Sequence, residues 1–296
     1  MKNNQVQLNN GITMPIIGLG TYSYQNDKKT VESAIHMALQ MGYRHFDTAK
    51  IYGSEPALGN ALKEAILEGT IEREDFFVTS KLWGSDHHDP GLLECYRKLE
   101  TEYLDLYLED EFEKLELEST WVGMEKCLQM GLCRSIGVSN FSSKKLEALL
   151  DFASVPPAVN QVEMHPMWRQ TKLREVCRDH KIHVSAYSPL GGPGNSWGST
   201  AVVDNPVINS IAHQHNATPA QVALKWGLSK GSSVIVKSFN EERLKENITS
   251  LDLKLGDQDF LQIDKLEEWK IMRGEFLVND TTSPYKTIED LWDNEI

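Results

Sequence analysis

Short apolar runs alternate with longer segments of helical periodicity along most of this chain. Eight runs are continuously apolar or nearly so, which is typical of parallel strands covered on both faces. They comprise residues 16–19, 45–47, 76–80, 104–108, 135–139, 158–162, 183–187 and 233–236. Ahead of them, residues 6–8 and 12–14 flank Asn9-Asn10-Gly11, a sequence that predicts a β-hairpin.

The segments between these runs carry signals that start helices. A capping residue, often with proline in the first turn, comes just before an apolar-periodic stretch. The predicted helices cover residues 57–68, 92–99, 144–152, 207–213, 220–228 and 242–247. Eight strand–helix units in about 250 residues predict an α/β fold, a (β/α)8 TIM barrel. A doubly wound open sheet is the competing architecture.

No linker or repeat divides the chain, so we expect one domain over residues 1–296. The tail, residues 269–296, has mixed polarity and no strong period. In a barrel such a tail packs on the outside or reaches over one mouth.

Charge and composition narrow the function classes. The chain has 30 basic and 43 acidic residues and a net charge of −13, which argues against nucleic-acid or anionic-membrane partners. No run approaches the ~18 apolar residues of a membrane helix. The polar N-terminus lacks a secretory signal, so we expect a cytoplasmic protein. The four cysteines fit buried thiols, and the nine histidines show no metal-ligand spacing, so no metal site is expected.

Gly18-Leu19-Gly20 begins like the dinucleotide-binding fingerprint G-x-G-x-x-G, but the third glycine position holds Ser23. The Rossmann motif therefore fails. The P-loop, H-E-x-x-H and G-x-S-x-G motifs are absent from the sequence as well.

Candidate catalytic residues lie where the predicted strands end, since barrel chemistry sits at the carboxyl ends of strands. Asp47 closes the second strand, Tyr52 follows it, and Lys81 lies at the end of the third. A phenol has a reference pKa near 10 and is a poor acid at neutral pH. An adjacent ammonium would stabilise the phenolate, and a carboxylate would hold the ammonium. We interpret the three as a candidate proton relay; the alternative is that each is a solvated loop residue.

A second candidate site follows the last predicted strand. Lys237 and Arg243 bracket the start of a predicted helix, where helix N-termini and cations bind phosphate. In an acidic chain this predicts an anionic ligand. The alternative is a solvated, capped helix with charge pairs along its surface.

Several stretches, in one order, resemble the aldo-keto reductases. They are Gly-Tyr-Arg-His-Phe-Asp-Thr-Ala (42–49), Ile-Tyr-Gly-Ser-Glu (51–55), Thr-Ser-Lys-Leu-Trp (79–83), Ile-Gly-Val-Ser-Asn-Phe (136–141), Ser-Ala-Tyr-Ser-Pro-Leu-Gly (185–191) and residues 237–247. The resemblance runs from residue 16 to the tail. Residues 156–164 and 291–296 are similar to the plant branch that includes codeinone and chalcone reductases.

The resemblance implies a (β/α)8 barrel that reduces a small-molecule aldehyde or ketone to an alcohol with NADPH, acting as a monomer. Tyr52 would be the general acid, tuned by Lys81, which pairs with Asp47. The implied substrate-binding residues are Tyr22, Tyr52 and Trp83. The family often has tryptophan at the position of Tyr22.

The resemblance also implies the cofactor site. Ser139, Asn140 and Gln161 would bind the nicotinamide carboxamide, and Tyr187 would stack on the ring. The other implied cofactor positions are Gly20, Thr21, Tyr22 and Asp47 beside nicotinamide and substrate, Ser188 and Leu190 at the pyrophosphate, Lys237, Ser238, Phe239, Asn240 and Arg243 around the 2′-phosphate, and Glu246 and Asn247 near adenine.

The chain departs from the family after the fourth predicted strand. The family has a catalytic histidine there, whereas this chain continues Glu109-Asp110-Glu111, with Asp110 at the histidine position. Only twelve residues separate Leu108 from Trp121, where the family has a longer loop. Three explanations are open. An acidic residue replaces the histidine, as glutamate does in steroid 5β-reductases; a segment was deleted; or residues are missing from the sequence as given. We favour deletion or omission, because so acidic a run is typical of a solvated loop.

Three functions compete on this basis. The first is an NADPH-dependent carbonyl reductase. The second is an NADPH-binding protein with little or no catalysis, and the third is a barrel with a purely structural role. Loss of one positioned proton-transfer group costs on the order of 10²–10⁴ in rate, whereas cofactor binding uses other residues and should survive.

Overall fold

Eight parallel strands close into a barrel in the computed structural model, which describes residues 4–22, 28–82, 99, 101, 103–110, 117–281 and 283–296, without the side chain of residue 110. Around the barrel the strand order is β10-β3-β4-β5-β6-β7-β8-β9. The strands are β3 (Ile17–Gly20), β4 (His45–Asp47), β5 (Phe77–Leu82), β6 (Leu106–Asp110), β7 (Ile136–Ser139), β8 (Val159–Glu163), β9 (His183–Tyr187) and β10 (Ser233–Val236). All eight predicted runs are therefore strands, and the barrel is confirmed over the open sheet.

The predicted hairpin closes one end of this barrel. Strands β1 (Gln5–Gln7) and β2 (Thr13–Pro15) pair antiparallel around the Asn-Asn-Gly turn. Leu8 and Met14 pack in one buried cluster with Phe77 and Leu106, which come from the beginnings of β5 and β6. Because the amino ends of the strands are plugged, the carboxyl ends form the open mouth.

Helices cover the outside of the barrel. They are α1 (Lys28–Gln40), α2 (Glu55–Leu67), α3 (Leu117–Gln129), α4 (Ser143–Leu150), α5 (Thr171–Asp179), α6 (Pro206–Gln214), α7 (Pro219–Ser229), α8 (Glu241–Thr249), α9 (Asp257–Ile263) and α10 (Ile288–Leu291). Ser142, Asn205, Thr218 and Asn240 cap α4, α6, α7 and α8 through their side chains, as predicted. The helix predicted over 92–99 lies outside the described residues except for Leu99.

A buried ion pair fastens the tail to the mouth. Glu163, at the carboxyl end of β8, accepts from Lys270 Nζ at 3.1 Å, from His165 Nε2 at 3.0 Å and from the backbone N–H groups of Ile271 and Met272. Burial alone would raise the pKa of Glu163, but the Lys270 charge and these hydrogen bonds lower it to about 2. The ammonium of Lys270 also lies 3.8 Å from the centre of the Trp292 ring.

The last residues of the tail dock on the N-terminus of α4. Ser142 Oγ bonds the Asp293 carboxylate at 2.7 Å, and the Glu295 carboxylate accepts the Ser143 N–H at 2.8 Å. A carboxylate at a helix N-terminus is favoured by the helix dipole. Since α4 begins just after β7 ends, the tail lies at the mouth, which confirms one of the two expectations for it.

Candidate active site

The Asp47 and Lys81 side chains form a buried ion pair at the mouth. Lys81 Nζ lies 2.6 Å from Asp47 Oδ1 and also donates to the Thr48 carbonyl at 3.1 Å. The two side chains are 4% and 3% exposed. They meet because β4 and β5 are adjacent parallel strands with Asp47 in register with Thr79, two residues before Lys81. The alternative of solvated loop residues is wrong for this pair.

Tyr52 completes the cluster that the sequence predicts. It ends a short 3₁₀ turn, Lys50–Tyr52, that follows β4. Lys81 Nζ lies 4.9 Å from the centre of the Tyr52 ring, and the Tyr22 ring meets it edge-on at a centroid distance of 4.9 Å. A phenol, an ammonium and a carboxylate are thus assembled at one point of the mouth.

Buried hydroxyls hold the loop that carries Tyr52. Ser54 Oγ lies 2.7 Å from Thr21 Oγ1 and 2.9 Å from Thr48 Oγ1, and all three residues are buried. The Thr21 hydroxyl and N–H both donate to the Asp47 carbonyl. Ser54 lies at the cap position of α2 without a side-chain cap bond, because its hydroxyl lies in this network. The network fixes the loop relative to the end of β4.

Amide and hydroxyl groups line the mouth beside the ion pair. Gln161 Nε2 donates to Asp47 Oδ2 at 2.8 Å, so both oxygens of that carboxylate have donors. Tyr187 donates its hydroxyl to Asn140 Oδ1 at 2.8 Å, and Asn140 Nδ2 lies 3.3 Å from Ser139 Oγ. Asn140 has a left-handed backbone, φ 62°, a conformation that asparagine tolerates better than most residues.

The side chains of Lys237 and Arg243 lie near the N-terminus of α8, and neither has a carboxylate partner among the described residues. Partial burial and the neighbouring Arg243 charge lower the pKa of Lys237. Within the described part of the chain neither forms an ion pair within 4 Å. Asn240 caps the helix by accepting the Arg243 N–H at 3.0 Å. Repelling cations at a helix N-terminus fit an anionic group such as a phosphate.

The remaining predicted cofactor residues occupy varied surroundings. Ser188 follows β9 with a left-handed backbone, φ 47°, and Leu190 lies two residues further on, partly buried. Glu246 accepts the Thr218 hydroxyl at the start of α7, so its carboxylate already has a protein partner. Asn247 and Ser238 are buried, and the Phe239 ring centre lies 4.7 Å from Lys237 Nζ. A Cβ at Gly20 would come within 3.3 Å of Ile235, so the backbone there lies close to β10. Trp83 lies outside the described residues.

The end of β6 differs from the sequence interpretation. Glu109 pairs with Leu82 of β5, and Asp110 pairs with Ser139 of β7. Glu109 is only 5% exposed. The loop interpretation is wrong for both residues, because β6 continues through them: Glu109 pairs with β5 and β7, and Asp110 pairs with β7. Residues 111–116, the rest of the predicted loop, are not among those described.

Sequence reasoning missed a buried histidine beneath the mouth. His45 Nε2 lies 2.9 Å from Thr79 Oγ1, and Nδ1 lies 3.1 Å from the Pro15 carbonyl. Burial lowers the pKa of His45 to about 4, against the opposing charge of Asp47. The available signal for a neutral imidazole inside the barrel was the position of His45, on a short apolar strand two residues before Asp47.

The described residues hold neither a metal-binding cluster nor a helix that could cross a membrane. Nowhere in them do three His, Cys, Asp or Glu side chains cluster so as to hold a metal ion. None of the helices described combines the length and apolar character needed to cross a membrane.

Curated plant proteins match nearly the whole chain. They include (1S)-1,7-diacetoxy-luvungin A aldo-keto reductase from Citrus sinensis, 42% identical over 96% of this chain and 95% of that protein. Deoxymugineic acid synthase 1 from Zea mays is 43% identical over 96% and 97%. Aldo-keto reductase family 4 member C11 from Arabidopsis thaliana is 41% identical over 98% of each.

These alignments contain positions that the chain lacks. The Citrus alignment runs over 305 positions, but 96% of 296 residues is about 284, which leaves 21 positions without a residue here. The relative therefore has residues at about 21 aligned positions where this chain has none.

A family model confirms the relationship. The model described as "Aldo/keto reductase family" matches residues 16–268, which includes all eight barrel strands and the Asp47–Lys81 pair. Together with relatives above 40% identity over almost the full length, this match places the sequence among oxidoreductases that reduce carbonyl groups. The chain belongs to the aldo/keto reductase family.

Proposed function

We propose that this protein reduces the carbonyl group of a small molecule to an alcohol, with NADPH as its cofactor. The observation that carries the proposal is the buried Asp47–Lys81 pair placed against the ring of Tyr52. When bound, the cofactor would supply the hydride for the carbonyl carbon.

The protein's own residues supply the proton. Tyr52 donates its hydroxyl proton to the carbonyl oxygen as charge develops there. Lys81, whose ammonium lies beside the ring, stabilises the phenolate that remains. Asp47 keeps Lys81 charged and in position, because its Oδ1 lies 2.6 Å from the ammonium in a buried setting.

The residues around this cluster suit a nicotinamide dinucleotide phosphate. Gln161, Asn140 and Ser139 would bind the carboxamide, and the ring of Tyr187, fixed by its hydroxyl bond to Asn140, would stack on the nicotinamide. Lys237 and Arg243 would bind the 2′-phosphate together with Ser238, Phe239 and Asn240, which favours NADPH over NADH. Gly20, Thr21, Tyr22, Ser188, Leu190, Glu246 and Asn247 complete the proposed cofactor contacts.

The substrate is proposed only by class. The names of the relatives point to a luvungin, to deoxymugineic acid and to aldo-keto reduction in general. For this chain we propose a small carbonyl compound bounded by Tyr22, Tyr52 and Trp83. The protein would act as a cytoplasmic monomer.

A second candidate function is cofactor binding with little catalysis. It is favoured by Asp110 at the family's histidine position and by the short segment of twelve residues between Leu108 and Trp121. The cation pair and the amide groups that would bind NADPH lie on or after β7, β8 and β10, away from the end of β6.

Fluorescence titration with NADPH and turnover of a simple aromatic aldehyde separate the two functions. Binding with turnover supports the reductase, and binding without turnover at high enzyme concentration supports the second candidate. A chain that binds no NADPH contradicts both. Tyr52→Phe should abolish turnover, whereas Tyr103→Phe, at the closed end of the barrel, should keep it. Full turnover by Tyr52→Phe would refute the mechanism.

A further inference from the structure

The contact between Gln161 and Asp47 crosses the interior of the barrel. Gln161 lies on β8 and Asp47 on β4, which are four places apart in the ring of eight strands and therefore opposite each other. The side chains meet at 2.8 Å, and both residues are almost fully buried, at 2% and 3% exposure. Gln161 thus touches the carboxylate that holds Lys81.

The chemistry of Asp47 determines which end of the Gln161 amide faces it. An ionised carboxylate only accepts hydrogen bonds, so the nitrogen of Gln161 must point to Asp47. The other Asp47 oxygen, Oδ1, accepts from Lys81 at 2.6 Å, so each oxygen of the carboxylate has one donor. The amide oxygen of Gln161 is therefore turned away from Asp47 and remains an acceptor.

We propose that Asp47 acts through Gln161 on cofactor choice, by fixing the Gln161 amide so that its oxygen accepts an N–H from the cofactor's carboxamide. This inference rests on the proposed function, because it assumes that a nicotinamide lies beside Gln161. Asp47 is then the positioning residue, and Gln161, which Asp47 orients, is the contact for the cofactor. The pair selects a carboxamide, which has N–H groups, over a ketone of the same shape.

The substitution Asp47→Asn should reverse this preference. Lys81 only donates, so it keeps the oxygen of the new amide, whose nitrogen then faces Gln161. Gln161 must turn its own oxygen to that nitrogen and present N–H groups to the cofactor. A ketone oxygen accepts such a bond, and a carboxamide loses its acceptor.

Binding of NADP⁺ and of its 3-acetylpyridine analogue measures the preference without turnover. The native protein should bind NADP⁺ about ten- to a hundredfold more tightly, the usual effect of leaving one buried polar group unpaired. Asp47→Asn should shrink that ratio at least tenfold, and Gln161→Met should shrink it while leaving Asp47 in place. Arg243→Ala is the matched control, since it weakens both dinucleotides alike and should keep the native ratio.

The outcomes separate this inference from the proposed function. If the native protein binds NADP⁺ and Asp47→Asn keeps the native ratio, the inference is overturned and the proposed function stands. If Asp47→Asn does not fold, an unchanged ratio in Gln161→Met overturns it equally. If the native protein binds neither dinucleotide, the proposed function fails and the inference fails with it.

Discussion

Removing one partner of the buried Glu163–Lys270 pair should strongly destabilise the protein. Lys270→Met keeps the length of the side chain but removes the cation that pairs with Glu163. The Glu163 side chain is 0% exposed, and its carboxylate would keep only His165 and two backbone N–H groups as donors. Breaking a buried pair in this way costs about 3–5 kcal/mol. For a chain of 296 residues that corresponds to a fall in melting temperature of roughly 5–8 °C.

Thermal and urea unfolding followed by circular dichroism, from pH 7 down to pH 2, measure this cost. The native pKa of Glu163, about 2, lies below its ordinary value of 4.5. The stability that this carboxylate contributes is therefore present above about pH 4.5 and is lost as the pH falls towards 2. The difference between native protein and Lys270→Met should shrink across that window, because the unpaired carboxylate takes up a proton.

Two further variants decide whether the reasoning holds. Lys172→Met removes an exposed lysine that pairs with Glu295 of the same tail, and it should leave the melting temperature unchanged. Glu163→Gln combined with Lys270→Met removes both charges and should recover part of the loss. A Lys270→Met protein as stable as Lys172→Met would refute the assignment of this pair as the anchor of the tail.

Three other outcomes are expected. Between pH 6.5 and 4 the protein should lose on the order of 3 kcal/mol of stability per buried histidine, because burial lowers the pKa of His45 and of His183 to about 4 and only the unfolded chain takes up the proton in that range. In urea unfolding His45→Gln should remove about half of this pH dependence. Arg243→Ala should weaken NADPH binding about ten- to a hundredfold and NADH binding far less; equal weakening in fluorescence titrations would contradict the 2′-phosphate assignment. Asp110→His restores the family histidine in register with Ser139 and should raise steady-state turnover about a hundredfold, whereas an unchanged rate would show that this register position is not the catalytic one.

The barrel was predictable because parallel strands covered on both faces must be apolar along their whole length. Helices that begin with a proline in the first turn, such as α6 and α7, were equally predictable. The helices α1, α3, α5, α9 and α10 were not predicted. In α5 the reason is clear, since it begins after Gln170, which has a left-handed backbone and provides no side-chain cap. Packing, rather than a local signal, determines where that helix begins.

Partners across the barrel were not predictable from the sequence. Strand-end chemistry placed Asp47 and Lys81 at the mouth, but no local pattern shows that Gln161, 114 residues away, bonds to the same carboxylate. Likewise, three consecutive acids after Leu108 resemble a loop until the lengths of β5 and β7 are known, because those strands supply the partners that keep Glu109 and Asp110 in the sheet.

The docking of Glu295 on α4 has a practical consequence for anyone who expresses this protein. The carboxylate that accepts the Ser143 N–H belongs to Glu295, and Ser143 is three positions from Asn140 in the mouth. A purification tag fused after Ile296 would pull on that contact and disturb the rim where a nicotinamide is proposed to bind. Kinetic work is therefore better done without a tag at that position.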